Sequence, residues 1–138
     1  MRDRARHRVA RPDVQFHLRA GARGAGLAIG PGKVALLEAI ASTGSISAAA
    51  RTLGMSYRRA WMLVDETNRC LAAPAVSTAA GGPRGGGTRL SAVGAEFVRR
   101  YRALERRAAA AVTAQLGNLL AGAPARDAAV QRKGGKKR

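Results

Sequence analysis

The run Gly44-Ser45-Ile46-Ser47-Ala48-Ala49-Ala50-Arg51-Thr52-Leu53-Gly54-Met55-Ser56-Tyr57-Arg58-Arg59-Ala60-Trp61 constrains the fold more than any other segment of the chain. It reads as two short helices about a glycine-containing turn, the second opening with an aromatic and two arginines. Ser47 suits the N-cap of the first, over about 48–53, with Gly54 closing it. Ser56 suits the cap of the second, which runs to about Leu71 before Pro74 prevents extension. Ala49 and Ala50 are small enough for the helices to approach closely. This is the pattern of a helix-turn-helix, whose second helix can be presented to a DNA major groove.

The flanks read as support for that unit. Val14-Gln15-Phe16-His17-Leu18-Arg19 alternates apolar and polar side chains, the period of a half-buried strand. A glycine-rich connector from Gly21 to Gly32 follows, with Pro31 placed to start a helix over about 32–42. That helix has an apolar face of Val34, Leu36, Leu37, Ile40 and Ala41, and Gly44 as its C-cap. Val76-Ser77-Thr78 and Thr88-Arg89-Leu90 bracket a glycine-rich run at 79–87, predicting a two-stranded ribbon with a glycine tip, a wing. Ser91 caps a last helix over about 92–120, in which Val93, Phe97, Tyr101, Leu104, Ala108 and Ala111 recur at steps of three and four. A helix of that length outgrows a small domain, so part of its seam is expected to pair with a second copy. The alternative is a long solvated helix with fraying last turns.

With 25 Lys and Arg against 8 Asp and Glu, the formal charge of +17 favours a polyanionic partner. An arginine-rich genome produces the same excess with no such role. Much of it lies in a basic arm at 1–12 and a basic tail at 121–138, which read as disordered and suited to sequence-independent phosphate contact. The few aromatics argue against a single-strand binder that stacks bases. A lone cysteine, Cys70, excludes an intramolecular disulfide, fits a reducing cytosol and suits a small core position. No apolar run is long enough to span a bilayer, and the N-terminus lacks the apolar core of a signal peptide.

The chemistry is expected on the second helix of the motif. Ala60, Val64 and Thr67 share its inner face, which turns Ser56, Tyr57, Arg58 and Met62 outward. Arg58 can offer a bidentate fork to guanine, while Ser56, Tyr57 and Arg59 suit phosphate. Trp61 has two readings, partial core beneath the wing or contact with sugar and thymine methyl groups. Ser47, Arg84 in the wing tip and Arg89 on the wing strand complete the DNA-facing set. Gly85-Gly86-Gly87 lacks the following Lys-Ser/Thr and helix of a phosphate-binding loop. His7 and His17 are isolated, Asp65 and Glu66 diverge by about 100° on one helix, and no cluster has metal spacing. Neither catalysis nor a cofactor is expected.

From about Val14 to Ala109 the chain resembles the N-terminal DNA-binding domain of ModE-type molybdate-responsive transcriptional regulators, themselves related to LysR-type winged helices. The resemblance is carried by Gly44-Ser45-Ile46-Ser47 with Ala50, and by Met55-Ser56-Tyr57-Arg58 with Ala60-Trp61. Asn68, Ala80-Gly81-Gly82, Gly85-Gly86-Gly87, Leu90-Ser91 and Gly94 extend it. It implies a mainly α winged helix-turn-helix over 13–90, with a dimerisation helix over 91–120, bound to a palindromic operator. Family members carry a molybdate-binding region after the long helix, where this chain has its basic tail, so molybdate sensing is not expected of it. Pro83 in the wing and the polar Thr67 in the inner face also depart from the pattern, and Thr67 is expected to weaken packing.

The resulting expectation is a cytoplasmic, nucleoid-associated homodimer that regulates transcription from double-stranded DNA. Its rivals are an architectural protein that coats DNA without a site, and a DNA-binding subunit whose effector sensing resides in a separate protein. An interaction module with no nucleic-acid role is a third, disfavoured by the outward Tyr57-Arg58-Arg59 cluster.

Overall fold

A computed structural model describes residues 12–19, 27–78 and 87–121. The expected basic arm before residue 12, the wing tip at 79–86 with Arg84 and Pro83, and the tail after residue 121 lie outside the described residues. The rest is a mainly helical winged helix-turn-helix. In chain order its elements are β1 (Leu18–Arg19), β2 (Ala28–Ile29), α1 (Pro31–Thr43), α2 (Ile46–Thr52), α3 (Tyr57–Cys70), β3 (Val76–Thr78), β4 (Thr88–Leu90) and α4 (Ala92–Leu116). The described residues fall into two units, Gln15–Ala103 and a second that holds 12–14 and 104–121.

In the first unit α1 begins at Pro31, whose fixed φ and missing N–H suit a helix start. It ends at Gly44, in left-handed backbone at φ 72, whose N–H donates to the Ile40 carbonyl at 2.8 Å. Val34, Leu36, Leu37, Ala39 and Ile40 are its buried side. The cap of α2 is Ser45, not Ser47. Ser45 is extended, at φ −152 and ψ 131, and its Oγ accepts from the Ala48 N–H at 3.1 Å. The helix starts early because Ile46 is buried and docks its first turn, leaving Ser47 exposed inside the helix. Gly54, at φ 66, then makes the turn into α3.

β3 and β4 form the ribbon expected from the sequence, antiparallel in the register Val76–Leu90, Ser77–Arg89 and Thr78–Thr88. The N-terminal strand is shorter than its alternation suggests, because only Leu18 and Arg19 find a partner. That partner, Ala28–Ile29, lies in the segment expected to be connector only. α4 is capped by Ser91, whose Oγ accepts from the Gly94 N–H at 3.0 Å.

The core is built from Leu36, Leu37, Ile40, Ile46, Ala49, Ala50, Ala60, Val64, Ala75 and Val76. A second cluster joins Ile29, Val34, Cys70 and Tyr101, covered by Phe16 and Phe97. Tyr101 corrects the expected intermolecular seam. It is 1% exposed, its ring lies 4.3 Å from that of Phe16, and its hydroxyl donates to the Phe16 carbonyl at 2.7 Å. The Phe97 ring lies tilted against it, with centroids 5.9 Å apart. The Tyr101 ring therefore fills its own protomer, while Phe97 is half-buried and Val93 is exposed.

In the second unit α4 continues to Leu116, short of the expected 120, and passes into a single 3-10 turn, Gly117–Leu119. Leu104, Leu116, Leu119 and Leu120 are exposed there, and Ala108 is half-buried. No helix among the described residues is long and apolar enough to cross a membrane.

Candidate nucleic-acid interface

The placement of α3 follows from its two faces. Ala60, Val64, Thr67 and Cys70 are buried, so the helix rests on the core through one stripe. Thr67 does not weaken that stripe, because its hydroxyl donates to the Leu63 carbonyl at 2.7 Å and buries no unmet donor. The Lys33 ammonium fixes the helix flank, reaching Glu66 at 2.9 Å and the Ala28 carbonyl at 2.5 Å. One cation thereby ties α1, α3 and β2 together.

The opposite side is open. Ser56 caps the helix, its Oγ accepting from the Arg59 N–H at 3.1 Å, and Ser56, Tyr57, Arg58, Arg59, Trp61 and Met62 are all exposed. Tyr57 and Met62 are more than half exposed, at 54% and 53%. Trp61 is 43% exposed, and its indole N–H donates to the Tyr57 hydroxyl oxygen at 2.5 Å. That bond uses the oxygen as acceptor and leaves the Tyr57 O–H available to an outside acceptor.

Charge is arranged in the same sense. Glu38 pairs with Arg102, Asp65 with Arg69 at 3.0 Å, Glu66 with Lys33, and Glu96 with Arg99 and Arg100. Among the described residues no carboxylate pairs with Arg51 at the end of α2, Arg58 and Arg59 on the first turn of α3, or Arg89 on β4, and all four are exposed. Arg19, Arg106 and Arg107 likewise form no ion pair with a described carboxylate, so what distinguishes Arg58 and Arg59 is their place beside Ser56 and Tyr57 at the start of α3, where uncompensated charge can hold phosphate. Ser56 to Met62 thus share one helix, while Arg89 and Ser47 stand on separate elements. Among the described residues no group of His, Cys, Asp and Glu could hold a metal ion.

Sequence reasoning gave Asn68 no role. On the last turn of α3, its Oδ1 accepts from the N–H groups of Ala75 at 2.8 Å and Val76 at 3.2 Å, where β3 begins. Gly94 is equally specific: a Cβ there would lie 2.3 Å from the Ala75 carbonyl oxygen, so its hydrogen is what lets α4 pass the root of the wing. A side-chain bond spanning seven residues leaves no periodic signal.

No protein-family model matches the chain. Among curated proteins it is 49% identical over 87 residues to the molybdenum-pterin-binding protein MopB of Rhodobacter capsulatus, covering 63% of this chain and 30% of that protein. It is 44% identical over 80 residues to the molybdenum transport protein ModE of Azotobacter vinelandii, covering 58% and 30% respectively. It is 38% identical over 71 residues to the DNA-binding transcriptional dual regulator ModE of Escherichia coli K12, covering 51% and 27%. The matches span about a third or less of the relatives' own length. Over half or more of its length, then, the chain is similar in sequence to ModE-type proteins.

Proposed function

We propose that the chain is a sequence-specific, DNA-binding transcriptional regulator that acts as a homodimer in the cytoplasm. One observation carries the reading: the first turn of α3 holds Ser56, Tyr57, Arg58 and Arg59 in solvent, facing no carboxylate among the described residues, while the opposite side of the helix is core. α3 lies in the major groove, with Arg58 reading a base and Ser56, Tyr57 and Arg59 on phosphates. Met62 and Trp61 supply apolar contact beside them. Arg89, with Arg84 at the wing tip, meets the backbone or minor groove, and Ser47 meets the backbone from α2. A relative whose name describes a DNA-binding transcriptional regulator supports this reading.

The dimer forms along α4, about 37 Å long at ~1.5 Å per residue, through Val93, Leu104 and Ala108. Phe97 and Tyr101, used within each protomer, support that surface from beneath.

Selection of randomised duplex DNA at about physiological salt tests the reading. An enriched inverted repeat is the expected result. Arg58→Ala should then lose about 1–3 kcal/mol on that repeat and tolerate changes at one position. Tight, salt-sensitive binding with no enrichment would instead make the protein an architectural DNA coat, a reading favoured by the +17 charge alone.

A further inference from the structure

We infer that Asn68 is a positioning residue, which sets the wing relative to the recognition helix through its bonds to the Ala75 and Val76 amides. The inference rests on the DNA-binding reading and adds to it the device that makes two separate elements act as one surface.

The root of the wing is held at a few points. Ala75 and Val76, buried at 0% and 6%, bring their N–H groups into the protein just before β3. Buried N–H groups require acceptors, and one oxygen of Asn68 supplies both. Only the oxygen end of the amide can accept from two donors, which fixes how the side chain is turned. The same root is gripped from α4. The Ser91 N–H donates to the Ala75 carbonyl at 2.8 Å and the Ser91 hydroxyl donates to the Pro74 carbonyl at 2.6 Å. On the other strand, the Thr88 N–H donates to the Gly44 carbonyl at 2.9 Å, the left-handed residue between α1 and α2.

Because Val76 pairs with Leu90 and Ser77 with Arg89, holding residues 75 and 76 also holds the strand that carries Arg89. Of these bonds, only those of Asn68 start on α3. A rotation of the ribbon about its β4 anchor would keep the Gly44 bond and move Arg89 relative to Arg58. The two Asn68 bonds oppose that rotation.

The test is a coupling measurement on a mixed-sequence DNA duplex, with affinity followed across salt concentration. Arg89→Ala is expected to lower the salt slope by about one phosphate contact. Asn68→Ala should lower it by the same amount while leaving Arg89 in place, and the double variant should be no worse than either single one. Arg58→Ala should add its full effect in the Asn68→Ala background. Asn68→Asp, which keeps an acceptor oxygen for both amides, should restore the slope. If Asn68→Ala does not fold, Asn68→Ser, whose shorter hydroxyl can hold at most one amide, takes its place in the same cycle.

Additive losses for Asn68 and Arg89 overturn the inference, as does an unchanged slope in a folded Asn68→Ala protein. Absence of salt-dependent binding by the wild-type chain removes the DNA-binding reading itself, a result distinct from either.

Discussion

Replacing Gly94 by alanine sets two physical effects against each other with opposite signs. Gly94 lies in the first turns of α4, where helix propensity favours alanine by roughly 0.5–1 kcal/mol. The added methyl would fall 2.3 Å from the Ala75 carbonyl oxygen and 3.0 Å from the Ala75 carbonyl carbon and Cα. Carbon-to-oxygen contacts ordinarily settle near ~3.3–3.6 Å, so the helix must retreat by about 1 Å. Its obstacle is backbone, which cannot rotate aside as a side chain would.

Overpacking of this kind costs about 1–3 kcal/mol. The retreat also stretches the bonds from Ser91 to Ala75 and Pro74, worth roughly 0.5–1.5 kcal/mol each. The net expectation is destabilisation by about 1–3 kcal/mol, or a fall in Tm of about 5 °C or more for a domain this size. Thermal and guanidinium unfolding followed by circular dichroism read the change. Gly32→Ala is the internal control. It is also helical, with nothing within 4 Å of the added methyl, and should be neutral to stabilising by up to about 1 kcal/mol. A Gly94→Ala protein as stable as wild type would refute the close approach and the root of the wing built on it.

Lys33→Met should destabilise by about 1–3 kcal/mol, because it strips Glu66 and the Ala28 carbonyl of one shared, largely buried partner, while Lys33→Met with Glu66→Leu should recover at least half of the loss in the same unfolding assay. Trp61 is the only tryptophan, so its emission is a site-specific probe: titration with duplex DNA should shift or quench it, and unchanged emission at saturation would place it away from the contact. Tyr57→Phe removes the outward hydroxyl donor and should weaken DNA binding by about 0.5–1.5 kcal/mol without lowering Tm, as read by fluorescence anisotropy.

The inner and outer faces of α3 are legible in the sequence because a helix repeats every ~3.6 residues. A small or apolar stripe at 60, 64 and 67 leaves little choice about where 58 and 62 point. The strands of the wing are equally plain, marked by β-branched residues beside a glycine run. Ser45 and Ser47 are harder to separate, since each precedes a workable helix and burial of Ile46 decides between them. β2 hides in a glycine-rich run because two residues give no period. The seam at 97 and 101 looks the same whether it meets a second copy or its own chain. For Tyr101 the partner is Phe16, far away in sequence, which no local pattern announces. Asn68 and Lys33 escape for the same reason: their partners are distant and polar, and pattern reading follows local, apolar regularity.

The two-sidedness of α3 has a consequence for how such a protein diverges. Its outward side chains, Tyr57, Arg58, Trp61 and Met62, lie outside the buried clusters that form the core. Substitutions there leave Ala60, Val64, Thr67 and Cys70 in their seats. If α3 reads DNA as proposed, descendants of this chain can exchange one target for another through single, conformationally silent replacements, while the scaffold persists unchanged. Mutations on the inward stripe face the reverse constraint, since they threaten the fold before they can alter what it recognises.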